Sequence, residues 1–224
     1  MMSMTGKLFW GGVSIAGIAV CGILGVAFLK TGLTIQALFT ENKELKQAIE
    51  NLTFEEQIGY AKVVRQTEKD GKTMTTLKFV ETARNDPLEV VFESEFSLEG
   101  DVVHFDALII KFGDEFVRDG KGRSLYLWRR VYGEYMSPSE GSPITIHGRE
   151  PERNPGQFEK LGFREKYLFW AEIWDLAHDR RRLIDYGIEA VFGSAVYSEL
   201  RPGLIYIFKI SSTGQVYPEV IPDL

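Results

Sequence analysis

Cysteine occurs once in the 224 residues, at Cys21. A disulfide framework and a cysteine-based zinc site are therefore excluded for the rest of the chain. Histidine is nearly as scarce: His104, His147 and His178 lie far apart, and none stands in an HExxH or HxH arrangement. There is no Gly-rich phosphate loop and no nucleophile elbow; "DGKGRS" at 119–124 reads as a hairpin turn. No metal or cofactor is implied by any of this. Excess positive charge is missing too. A net charge of −6, from 26 Lys+Arg against 32 Asp+Glu, argues against a nucleic-acid partner held by attraction to phosphates.

Apolar and aromatic residues are present in quantity, at 44% and 12%, which is enough to build a core. The first concentration is "LFWGGVSIAGIAVCGILGVAFL", residues 8–29, uncharged throughout and bracketed by Lys7 and Lys30. As a helix it spans about 33 Å, close to the roughly 30 Å hydrocarbon thickness of a bilayer. A cleaved signal peptide is the competing reading, since Gly25-Val26-Ala27 places small residues at −3 and −1 of a cut before Phe28. Two facts favour an uncleaved anchor: Lys7 is the only charge ahead of the run, and the run exceeds the ~7–15 residues of a signal core. Gly17, Cys21 and Gly25 fall four apart and offer one face for close helix approach.

Next comes "IQALFTENKELKQAIENL", residues 35–52. A heptad places Ile35, Asn42 and Ile49 at a, with Leu38, Leu45 and Leu52 at d. Ile at a with Leu at d favours a parallel two-stranded coil, and one Asn at a selects register and partner number at a cost in stability. Glu41 at g and Lys46 at the following e are spaced for an interchain ion pair. Under three heptads is marginal for an isolated coil, but chains aligned by neighbouring membrane helices meet at high effective concentration. An amphipathic helix packed on its own domain is the other reading of the same stripe. Tail, span, "ENKEL" coil and β-rich domain in this order resemble MreC-type rod-shape proteins, and the span and coil alone are similar to small coiled-coil proteins of the division machinery. The likeness covers residues 8–52; nothing in the remainder matches a motif of either group, so no family function follows.

From Ile58 the period shortens to two. "IGYAKVVRQTEKDGKTMTTLKFVET" reads as a hairpin about Asp70-Gly71. In "LEVVFESEFSLEGDVVHFDALIIKF", Val91, Glu93 and Glu95 alternate with Phe92, Ser94 and Phe96 before a turn at Glu99-Gly100-Asp101. "RDGKGRSLYLWRRVYGEY" adds a turn and a strand. About five antiparallel strands suit a small sandwich or barrel with one wet face. Residues 137–156 are rich in Pro and Gly and read as a loop. Gln157 to Tyr186 reads as a helix, with Trp170, Ile173, Trp174, Ala177 and Ile184 on one stripe and Arg180, Arg181 and Arg182 near its C-terminal end. Apolar runs at 188–197 and 204–210 and a short strand near 215–220 complete the chain.

The local chemistry is sparse. Asp175, His178 and Asp179 share a helix face and could hold a cation or orient a base; a salt-bridged helix end, with Arg182 opposite, is the simpler account of them. Arg129, Arg130 and Arg180 to Arg182, with Trp128, Trp170 and Trp174, would suit an anionic polymer or lipid headgroup, although residues 157–186 carry as many acidic as basic groups.

The expected fold is therefore α+β: an N-terminal tail (1–7), a transmembrane helix (8–29), a short parallel coiled-coil stalk (33–56), a mainly antiparallel β domain (58–136), a loop (137–156) and a helix with final strands (157–224) packed on the β domain. The expected function is a single-pass membrane-anchored scaffold or assembly subunit in the cell envelope, its C-terminal domain extracytoplasmic. Its expected partners are the lipid bilayer, further copies of itself and other membrane or envelope proteins, and no nucleic acid. The oligomer interface comprises Gly17, Cys21, Gly25, Ile35, Leu38, Asn42, Leu45, Ile49 and Leu52. The alternatives are a membrane-tethered enzyme, hydrolytic or metal-assisted, using Asp175, His178 and Asp179, and a binder of cell-wall polymer or lipid headgroups.

Overall fold

Residues 36–84, 86–144, 179–185 and 187–223 are described in a computed structural model of the chain. They divide into two compact units, Met1–Gln47 and Ala48–Leu224, and the division falls within the first helix, α1 (36–53).

The second unit is built from β1 (Glu55–Lys69), β2 (Lys72–Ala83), β3 (Asp86–Glu99), β4 (Val102–Phe112), β5 (Leu125–Gly133), β6 (Ser142–Pro143), β7 (Ile188–Glu199), β8 (Leu204–Ser211) and β9 (Val216–Pro222). Two short helices, α2 (Asp114–Arg118) and α3 (Arg180–Asp185), and a single 3-10 turn interrupt them. All pairings are antiparallel. One sheet has the order β3-β2-β1-β8-β9, the other β6-β5-β4-β7.

Local sequence explains the first hairpin. Lys69 pairs with Lys72 across a two-residue turn in which Asp70 and Gly71 have φ of 54° and 74°. Two successive left-handed residues make the turn whose twist matches the flanking strands, and Asp-Gly is suited to it.

The sheets face each other across an aromatic core. Phe79 from β2 meets Phe105 from β4 at 5.8 Å and Trp128 from β5 at 5.4 Å between ring centres. Phe208 from β8 meets Phe105 at 4.6 Å and Trp128 at 5.3 Å. Edge-on and tilted contacts of this kind add to the area that the rings bury. At one end a buried ion pair joins the layers: Arg84 donates from Nε to Glu56 on β1 at 2.7 Å, and from Nη1 to the Ser124 carbonyl before β5 at 2.9 Å.

β4 is buried on both faces. Its residues Val103, Phe105, Ala107 and Ile109 enter the core between the sheets, while Leu108, Ile110 and Phe112 join a second cluster on the outer side. That cluster is closed by Val117 of α2, Leu183 of α3, Leu125, Ile188 and, at its edge, Leu52. The outer face of the first sheet is wet and carries cross-strand ion pairs: Lys62–Asp223 at 3.0 Å, Lys78–Glu93 at 2.7 Å and Lys72–Glu99 at 2.7 Å. Exposed pairs of this type contribute about 0–1 kcal/mol each.

Two expectations need correction. Strand accounts for 59% of the described residues, with few helices, so the class is antiparallel β rather than α+β. The long helix expected to run from 157 to 186 does not pass through Asp179: that residue lies outside regular structure, and a six-residue helix starts at Arg180. Asp179 Oδ1 accepts from the backbone N–H of Arg181 at 3.1 Å and of Arg182 at 3.3 Å, which is how a helix N-terminus is capped. The arginines thus lie in the opening turns, not at the close of a long helix. No helix among the described residues is long and apolar enough to cross a membrane, and the transmembrane reading of 8–29 lies outside those residues. Of the final strands, β8 lies inside the first sheet between β1 and β9, and β7 pairs with β4.

Phe79→Ala empties the centre of the inter-sheet core and should cost roughly 3–5 kcal/mol. Leu88→Ala, at an exposed site on β3, should stay within about 0.5 kcal/mol. Urea unfolding of the full chain reads both. On β9, a hydrogen bond with Glu55, reinforced by burial and by the charges of Glu55 and Glu219, pushes Tyr217 up to about 12 from its ordinary 10.0. The folded chain therefore holds this phenol proton more tightly than the unfolded chain does. That contribution is present below pH 10.0 and lost as pH rises through about 12. An absorbance titration should lose a late-ionising component in Tyr217→Phe.

Candidate oligomerisation interface

α1 carries the heptad residues that the described region includes. In the first unit Leu38 and Leu45 are 59% and 60% exposed, and Asn42 between them is exposed as well. In the second unit Ile49 is 54% exposed. Large aliphatic side chains this open to water lose the stabilisation of about 1.5–3 kcal/mol that full burial would bring each of them. An unpartnered apolar stripe at heptad spacing is the form that a coiled-coil seam takes in a single chain. Phe39, still more exposed, sits at the adjoining e position and widens the stripe. Its apolar character in "IQALF" was the signal available for it, and a strict a/d layout passes over it.

Leu52 behaves differently. It is half-buried against the second core cluster, so this d position is used within the chain. The end of the helix is tied down around it. Thr53 Oγ1 donates to the Ile49 carbonyl at 2.8 Å, Ser212 Oγ donates to the Leu52 carbonyl at 2.8 Å, and the Ser212 N–H donates to the Phe54 carbonyl at 2.8 Å. Asn51 Nδ2 donates to the Arg118 carbonyl of α2 at 2.8 Å. These bonds satisfy carbonyls that a helix end leaves open. They also stop the stalk short of the expected residue 56, since β1 begins at Glu55. Gly17, Cys21, Gly25 and Ile35 lie outside the described residues.

The other predicted residues are not brought together. Asp175 and His178 lie outside the described residues, and the carboxylate of Asp179 caps α3. Trp170 and Trp174 are likewise outside, while Trp128 is buried in the inter-sheet core. Arg129 and Arg130 both reach buried Asp106: Arg129 Nη2 donates to Oδ1 at 2.6 Å, and Arg130 Nε lies 3.1 Å from Oδ2. A register shift lets two successive residues point at one carboxylate, because Asp106 pairs with Arg130 and Ala107 with Trp128, leaving Arg129 as the bulge. Sequence reading had separated these arginines from their acid.

His104 occupies the same outer face of the second sheet. Its ring stacks on Tyr132 with centres 4.8 Å apart and 6° between planes, and meets Tyr197 at 5.9 Å. Burial, and then the charge of Asp106, raise the Tyr132 phenol. Among the described residues no three of His, Cys, Asp and Glu are grouped to hold a metal ion. Comparison with family models, with curated proteins and with solved structures finds no match to this chain.

The contrast between Leu45 and Leu52 is testable. Leu52→Ala should lower the unfolding free energy by roughly 1–2 kcal/mol, about half the effect of a fully buried leucine. Leu45→Ala should leave the unfolding midpoint nearly unchanged, within about 0.5 kcal/mol, and weaken self-association instead. Urea unfolding and detergent-phase sedimentation separate the two effects.

Proposed function

We propose that the chain is a membrane-anchored scaffold or assembly subunit whose copies associate through α1, with the β unit held beyond the bilayer to engage other envelope proteins. Residues 8–29 anchor it, and their Gly17-Cys21-Gly25 face and the Ile35–Ile49 seam align neighbouring copies. The observation that carries this reading is the exposed stripe Leu38-Asn42-Leu45-Ile49. A coil leaves them open in one chain and closes them in two.

Asn42 at the centre of the stripe sets which pairing forms. A second copy can meet its amide only when both seams are in register, so the residue trades stability for a defined partner number. Leu52 limits the coil at its β-unit end, because its side chain is committed to the second core cluster. The enzymatic alternative has no observation in its favour, and the Asp179 carboxylate on which it depends is engaged as a cap.

The test is Asn42→Cys in a Cys21→Ser background, oxidised in native membranes. A disulfide-linked homodimer is expected, with much weaker linking for a cysteine at Lys43, one residue off the seam. Absence of the Asn42 dimer in membranes, with normal expression and insertion, would sink the coil.

A further inference from the structure

The free edges of the two sheets are not equally protected. β9 carries Pro218 and Pro222, β3 carries Pro87 with Glu89, Glu93 and Glu95, and β6 has only two residues. Prolines, charges and short length are the devices that keep strand edges from pairing with other chains. β7 has none of them along its centre. Residues 190–196, "AVFGSAV", hold no proline and no charge, and among the described residues no strand pairs with the side of β7 turned away from β4.

A second observation lies at the same edge. An open cleft of about 350 Å³ sits where β7 approaches the β8–β9 turn, lined by Lys111, Phe192, Ser194, Gly214 and Val216. Phe192 and Ser194 alternate along β7, so both point to this inner side, and the Phe192 ring is exposed beside it. Each chain thus presents an aromatic knob and, two residues along, a small residue opening on a hole.

We propose that β7 pairs antiparallel with β7 of a second copy of this chain about a two-fold axis centred at Gly193, joining two four-stranded sheets into one of eight. Side chains alternate across a strand, so both cores stay on the same side only if the register pairs inward residues with inward residues. Centring at Gly193 sets Phe192 of each copy opposite Ser194 of the other, at the mouth of its cleft, and Val191 opposite Ala195. The neighbouring register centred at Ser194 would set Phe192 opposite Val196, which does not line the cleft, and Ser194 opposite its own copy. The one centred at Phe192 would turn the two rings against each other and away from the clefts. Gly193 already lacks a side chain for a reason inside the chain: a Cβ there would come within 2.9 Å of Arg129 Nη2. The outer face of the midpoint is therefore covered by the Arg129 guanidinium rather than by a side chain of β7.

This interface is separate from the α1 seam and stands without it. The experiment uses the full chain with Cys21→Ser and two co-expressed, differently tagged copies, one with Val191→Cys and the other with Ala195→Cys. Mild oxidation should give a heterodisulfide exceeding self-linkage of either variant alone by about tenfold or more, because paired strands hold the thiols at high effective concentration. Phe192→Cys with Ser194→Cys is the matching pair on the other face and covers the case in which half-buried Val191 does not tolerate replacement. Absence of a heterodisulfide from both pairs, or self-linkage equal to it, overturns the proposal. The first of these results is also what a different protein, or another part of the same chain, lying along β7 would produce. Trapping at residue 42 is scored independently, so the two interfaces fail or survive separately.

Discussion

Strand β4 has no face to give to water. "VVHFDALIIKF" sends phenylalanine, isoleucine and alanine toward the first sheet and leucine, isoleucine and phenylalanine the other way. Such a strand is stable only inside a layer that is covered twice. The first cover is β1, β2 and β8 with their aromatic rings. The second is improvised from short pieces: α2, α3 and the last turn of α1. Neither α2 nor α3 has the length to stand alone in water. They exist because β4 needs a roof; the hydrogen bond from Asn51 ties the end of α1 to α2, and that from Ser212 ties it to the turn after β8.

The strands were largely legible because alternation and turn chemistry are local. Asp70-Gly71 announces its hairpin, and the Glu93-Ser94-Glu95 alternation marks an edge strand with a wet side. Order within the sheets was not legible. Nothing in "LIYIFKI" says that it inserts between β1 and β9, since register between distant strands is decided by packing. The misjudged helix has a similar cause. A stripe at helical spacing ran up to Ile184, but the carboxylate of Asp179 is more useful bonded to the two N–H groups that follow it, and Asp favours caps over helix interiors for that reason.

The seam was legible in part. Heptad spacing identified Leu38, Leu45 and Ile49, which are open to solvent, and also Leu52, which is not. Periodicity reports which residues share a face, but which neighbour covers that face is a tertiary fact. The same limit hid the triad of Asp106, Arg129 and Arg130, where one bulged residue turns two adjacent side chains toward a single acid. Two arginines around one buried carboxylate share the cost of its desolvation, and each keeps about a quarter of its side chain in water.

The place of β8 carries a consequence for synthesis. Glu55 pairs with Ser211 and Lys62 with Ile205, so β1 must wait for a neighbour made long after it has left the ribosome. Until then the nascent polypeptide exposes the flank of β1 and an unfinished aromatic core, and such long-range closure is slow. Delay in the distal half leaves time for the incomplete edge of β1 to be captured by a chaperone.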